Sequence, residues 1–189
     1  MCIAAGAACS PEGSAATTRE WTEDVLLAGG TTIQIERTVR FKETNSLSGD
    51  SYNAIEQDAT IAFTAELGQL PVWKQPLMAM ALYHDDAADE WVVIALSNSC
   101  QFWRVRGKPK PPYMEFRLGK SGWRETPLSP ASLGRPVNLL LQYRRSLPSR
   151  HITVAERLRI DADSVAGRRN REIWAEPDQH YCGEGHLRK

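Results

Sequence analysis

Apolar residues recur at every second position over much of this chain, the spacing of half-buried strands and not of helices. Between Glu20 and Phe41, Trp21, Glu23, Val25 and Leu27 alternate with Thr22, Asp24 and Leu26, and Ile33, Ile35, Arg37, Val39 and Phe41 alternate again. Ala28-Gly29-Gly30 between them supplies residues able to take positive φ, so the pattern predicts a β-hairpin. Lys42–Gln57 is rich in Asn, Ser, Gly and Asp and is expected to be a long loop or excursion before a strand resumes over Thr60–Ala65. Pro71 and Pro76 bracket an expected loop around Trp73. The apolar runs Leu77–Tyr83 and Trp91–Leu96 have strand lengths, and Val92-Val93-Ile94 is β-branched, so both are expected to be buried strands joined by the acidic turn His84–Glu90.

Further along, Gln101–Arg106 is expected to continue the strand pattern through Phe102, Trp103 and Val105. Prolines occupy half of Gly107–Pro112 and deny it ladder donors, which predicts an exposed, polyproline-like connection. Tyr113–Leu118 and Trp123–Leu128 flank the turn Gly119–Gly122 as a second hairpin, Ser129–Gly134 fits one helical turn, and Val137–Tyr143 reads as a further apolar strand. One helix is predicted over Val154–Val165, ending at Gly167, with Thr153 as N-cap and Glu156 completing a capping box. Its stripe of Val154, Ala155, Leu158 and Ala162, with Val165 nearby, is expected to pack on the sheet. The fold class that follows is mainly β (α+β): an antiparallel sheet or sandwich of about eight strands with one C-terminal helix.

With 189 residues, 42% hydrophobic and 24% charged, the chain suits one core, expected over residues 20–177, with a signal-like segment and tether over 1–19 and a tail over 178–189. Net charge is zero, yet residues 1–95 carry 14 acidic and 5 basic side chains and residues 96–189 carry 9 and 18. Opposed halves are expected to face one another within one domain, because the arginines are scattered through apolar segments. No apolar stretch reaches the roughly 18 residues of a membrane-spanning helix. Met1–Cys9 (MCIAAGAAC) is small and apolar, ends in Cys and precedes a Ser/Pro/Gly/Ala/Thr tract. It resembles the end of a bacterial lipoprotein signal, which makes Cys9 the candidate lipidated residue; an Ala-rich cytosolic start is the alternative. Cys100 and Cys182 are candidate disulfide partners in an oxidising compartment and free thiols in the cytosol.

Candidate chemistry is sparse. His180, Cys182 and His186 could supply three of zinc's four ligands, at a spacing that matches none of the common zinc patterns; no other cofactor is indicated. His84-Asp85-Asp86 holds proton-transfer groups, but adjacent turn residues seldom converge on one substrate. Glu23, Asp24 and Glu36 are expected to form a solvated face of the first hairpin. The basic-aromatic stretch with Trp103, Arg104, Arg106, Lys108, Lys110 and Tyr113 is the candidate partner-binding surface, and it points to another protein before nucleic acid.

Trp21–Leu27 with Gly30 and Ile33–Arg37, then Gly107–Tyr113 with Phe116, then Ile173–Pro177, together resemble an uncharacterised family of small proteobacterial lipoprotein-like chains. The resemblance implies a cell-envelope, periplasmic setting and a possible lipid anchor at Cys9, and brings no known activity. The expected function is a non-enzymatic binding or structural protein, one version being an immunity-type protein that blocks a secreted toxin. The alternative is a metal-assisted hydrolase using the C-terminal His/Cys cluster.

Overall fold

The computed structural model describes residues 16–45, 52–97, 100–141, 143, 147 and 149–175. Among these, nine strands form two sheets, which bears out the mainly β expectation. The first hairpin forms as its periodicity predicts: β1 (Ala16–Leu26) pairs antiparallel with β2 (Thr32–Asn45), and Gly29 and Gly30 turn the chain with φ of 90° and 85°. β1 starts at Ala16, so Ala16–Arg19, expected in the tether, belong to the ladder. β3 (Tyr52–Phe63) pairs back on β2 out to Asn45, so most of the expected Lys42–Gln57 loop is strand. β4 (Trp73–Gln75) adds to β3, and Trp73, expected in a loop, is fully buried.

The second sheet has the order β5-β6-β7-β8, from β5 (Met78–Asp85), β6 (Glu90–Leu96), β7 (Tyr113–Gly119) and β8 (Gly122–Thr126). The first runs β4-β3-β2-β1-β9, where β9 (His151–Ile152) pairs parallel with β1. Trp73 meets Phe116 edge-on at 5.6 Å and Phe63 meets Trp91 at 4.9 Å, so the two sheets share one core. β5 and β6 are buried on both faces, which is why they read as unbroken apolar runs instead of alternating ones.

Three expected elements differ. Gln101–Arg106 lies in helix α1 (Cys100–Val105) and not in a strand. Its end is a Schellman motif: the Gly107 amide donates to Arg104 O, the Lys108 amide donates to Trp103 O, and Gly107 takes the left-handed φ of 80° that this motif requires. The helix expected over Val154–Val165 is two: α2 (Val154–Ala162), capped by Thr153 as predicted, and α3 (Val165–Arg169). Ser164 makes the break, its hydroxyl donating to Asp161 O and accepting from the Gly167 amide. Gly167 sits so close to α2 that an added Cβ would lie 2.2 Å from Asp161 O.

The third difference is Val137–Tyr143. Over its described residues this segment forms no strand, although Leu139, Leu140, Leu141 and Tyr143 are buried. It covers the open edge of β5, where the Leu139 amide donates to Met80 O and the Asn138 side chain imitates a peptide group. Asn138 Oδ1 accepts from the Leu82 amide at 2.9 Å, and Nδ2 donates to Leu82 O at 2.7 Å and to Leu26 O at 3.1 Å. Asn138→Ala removes both partners of a buried peptide. It is expected to cost about 2–4 kcal/mol, read as a lower midpoint in urea denaturation.

Candidate functional site

Three concentrations of charge stand out, two inside the protein and one on its surface. The first begins with alternation. Trp21, Glu23 and Val25 point to the core from β1, as do Ile35, Arg37 and Val39 from β2, and Glu23 and Arg37 are accordingly buried. The expected solvated face is corrected at Glu23, while Glu36 is exposed. Arg37 Nη1 lies 3.1 Å from Glu23 Oε2 and from Leu140 O, and Glu23 Oε1 accepts from the Leu140 amide. Trp21 Nε1 also donates to Glu23 at 3.1 Å. The Arg37 guanidinium lies 4.9 Å from the Trp21 ring centroid and 5.7 Å from that of Tyr143, a doubled cation–π contact.

From the other side α2 contributes Arg157, whose Nη1 donates to Val137 O at 3.2 Å, and Asp161, whose carboxylate faces the Leu141 amide and lies 3.7 Å from Arg157. The expected apolar face of α2 is therefore the wrong one: Arg157 and Asp161 are buried, and Leu158 and Val165 are each 56% exposed. Burial pushes the Asp161 carboxyl up to about 6 and holds the Arg157 guanidinium below its ordinary value. Every oxygen of Glu23 is engaged, so the cluster is built to hold the backbone of 137–141.

A second buried polar network joins β5, β7 and the turn Pro130–Ser132. Ser132 Oγ donates to Glu115 Oε2 at 2.6 Å and lies 2.7 Å from the Tyr83 hydroxyl, and Arg117 Nε donates to Glu115 Oε1 at 2.6 Å. Arg117 also bonds Asp85 at 2.8 Å, which holds that carboxyl below the usual range. Arg124 pairs with Glu90 at 2.7 Å, so one arginine from each of β7 and β8 meets a carboxylate at the ends of the acidic β5–β6 turn. Within that turn His84 contacts Asp86 at 2.8 Å, with the Asp86 carboxylate 96% exposed.

The outer concentration is the α1 protrusion. Trp103 and Tyr113 are buried and anchor it; Trp103 Nε1 donates to Pro109 O at 3.1 Å. Arg106 pairs with Glu125 and lies 5.0 Å from the Phe102 ring. Gly107 and Lys108 both take left-handed φ, so the connection turns tightly and is not the expected polyproline-like rod. Arg104, Val105, Lys108 and Lys110 are exposed at its surface, with Val105 at 79%. Cys100 opens α1. Cys9, His180, Cys182 and His186 lie outside the described residues, as does the disulfide expected from Cys182; among the described residues no three His, Cys, Asp or Glu side chains are grouped to hold a metal.

The raised Asp161 carboxyl fixes a sign. Folded protein binds this proton more tightly than an unfolded carboxyl of ordinary value 3.8 does, so the associated stability is full below about pH 4 and lost as pH rises through about 6. Stability of the native chain relative to Asp161→Asn is expected to fall by on the order of 2–3 kcal/mol across that window, measured by urea denaturation at intervals of pH; a flat difference contradicts it.

No protein-family model, curated protein or solved structure matches this chain.

Proposed function

We propose that this chain is a binding protein of the cell envelope whose working surface is the α1 protrusion, and that its partner is an acidic protein surface. The observation that carries this reading is Val105, which stands 79% exposed at the end of a helix with cationic Arg104, Lys108 and Lys110 around it. Covering such a side chain contributes about 1.5–3 kcal/mol, and the surrounding cations steer an acidic partner onto it. The protrusion loses little freedom on binding because Trp103, the Schellman turn and the Arg106–Glu125 pair already hold it. Binding of a secreted toxin in the manner of an immunity protein is one form this function takes.

A photo-crosslinking side chain at position 105 is expected to give a discrete protein adduct in cells, and the same group at Lys120 none. Arg104→Glu with Lys108→Glu and Lys110→Glu should reduce the adduct at least tenfold without altering thermal unfolding. An adduct indifferent to these reversals overturns the proposal.

The envelope assignment rests on Met1–Cys9 and on the family resemblance. Metabolic labelling with palmitate is expected to mark the native chain and to be lost in Cys9→Ala.

A further inference from the structure

α2 has its polar and apolar sides exchanged. At about 100° per residue, Arg157, Ile160 and Asp161 share the side turned to the core, and the opposite side carries Ala155, Leu158, Arg159 and Ala162, all exposed. Leu158 is 56% exposed, and so is Val165 at the start of α3.

The charges around these two aliphatic side chains are unevenly placed. Arg159 follows Leu158 on the outer face. Arg168 reaches back from α3, its Nη1 donating to Ala162 O at 3.2 Å. Ala162 lies one turn beyond Leu158 on the same face, so a guanidinium stands at the end of the apolar stripe. Arg168 and Arg169, both exposed, share a face of α3 with Val165 through the i+3 and i+4 spacing. The acidic groups are half-buried Glu156 and exposed Asp163, which stand about 160° and about 140° round α2 from Leu158. An aliphatic crest thus has arginines beside it and carboxylates on its far flank.

We infer that this face of α2 and α3 rests on an anionic phospholipid surface, with Leu158 and Val165 entering the acyl boundary and Arg159, Arg168 and Arg169 meeting headgroup phosphates. An interfacial helix layers its side chains in this way, apolar groups below the headgroups and cations level with them. Arginine stems are long enough to reach the phosphates while their aliphatic neighbours go deeper, and a guanidinium holds a phosphate by two parallel hydrogen bonds. The cations here are all arginine; no lysine occurs between Lys120 and Lys189. An acidic protein would satisfy the arginines but would have to supply a recess for two aliphatic side chains separated by a helix break, whereas a fluid acyl boundary conforms to them. The contact is independent of the α1 protrusion and of acylation at Cys9.

The test uses the full chain as Cys9→Ala, so that no acyl group contributes, sedimented with sucrose-loaded vesicles of phosphatidylcholine alone or mixed equally with phosphatidylglycerol. Partitioning is expected to be about tenfold or more stronger on the anionic vesicles. Leu158→Asn with Val165→Asn should weaken it about tenfold, and Arg159→Gln with Arg169→Gln by a similar factor. Thermal unfolding should be unchanged in both pairs, because all four side chains are exposed. Val105→Asn, which removes the apolar tip of the α1 protrusion, should leave partitioning as it was. No preference for anionic vesicles, indifference to the asparagine pair, or an equal loss with Val105→Asn overturns the inference; binding of soluble poly-glutamate in place of vesicles overturns it in favour of an acidic protein.

Discussion

A buried stretch of chain that belongs to no sheet dictates much of this architecture. Residues 137–141 pass between the β5 edge, the first hairpin and α2, and peptide groups removed from water there must find partners. An ordinary strand would meet this need with a neighbouring ladder. Here the partners are side chains: Asn138 turned onto Leu82, Glu23 and Arg37 closing on both ends of the Leu140 peptide residue, and Arg157 on Val137 O. A buried ion pair gains little stability by itself against its desolvation, but removal of one partner costs about 3–5 kcal/mol. The Glu23–Arg37 pair is accordingly a fastening for the backbone it bonds and is mutually dependent with it.

The same requirement explains the odd helix. α2 turns Arg157 and Asp161 inward because the segment beneath it needs a donor and an acceptor, and its apolar stripe is left toward solvent. Position along the helix settles which residues share a face, while the neighbour settles which face is inside. Gly167 continues the arrangement, since α3 approaches the end of α2 too closely for a side chain. Opposed charge on the two halves of the chain is partly consumed by pairing, where Arg117 and Arg124 meet Asp85 and Glu90. Arg106 of the α1 protrusion pairs in the same way with Glu125 of β8, while Arg104, Lys108 and Lys110 are exposed.

Local physics was largely legible from the amino-acid sequence. Period-two alternation marks the first hairpin, the double glycine its turn, unbroken apolar runs the doubly covered strands β5 and β6, and Thr153 with Glu156 the start of α2. Glu23 and Arg37 were legible in part, for they stand on the inward beat with Trp21, Val25, Ile35 and Val39. Gly107 was a helix-terminating signal set against a strand reading of the residues before it.

Tertiary structure alone decided the rest. Whether an inward carboxylate is buried depends on a partner more than a hundred residues away, and whether Val137–Tyr143 pairs as a strand depends on side chains from β1, β2 and α2. The face α2 presents and the burial of Trp103 and Tyr113 are likewise relations between distant segments. Sequence thus determined the conformations that neighbouring residues favour among themselves. The fold determined which polar groups lose water and must be satisfied, because desolvation is a property of the packed environment and no local pattern encodes it.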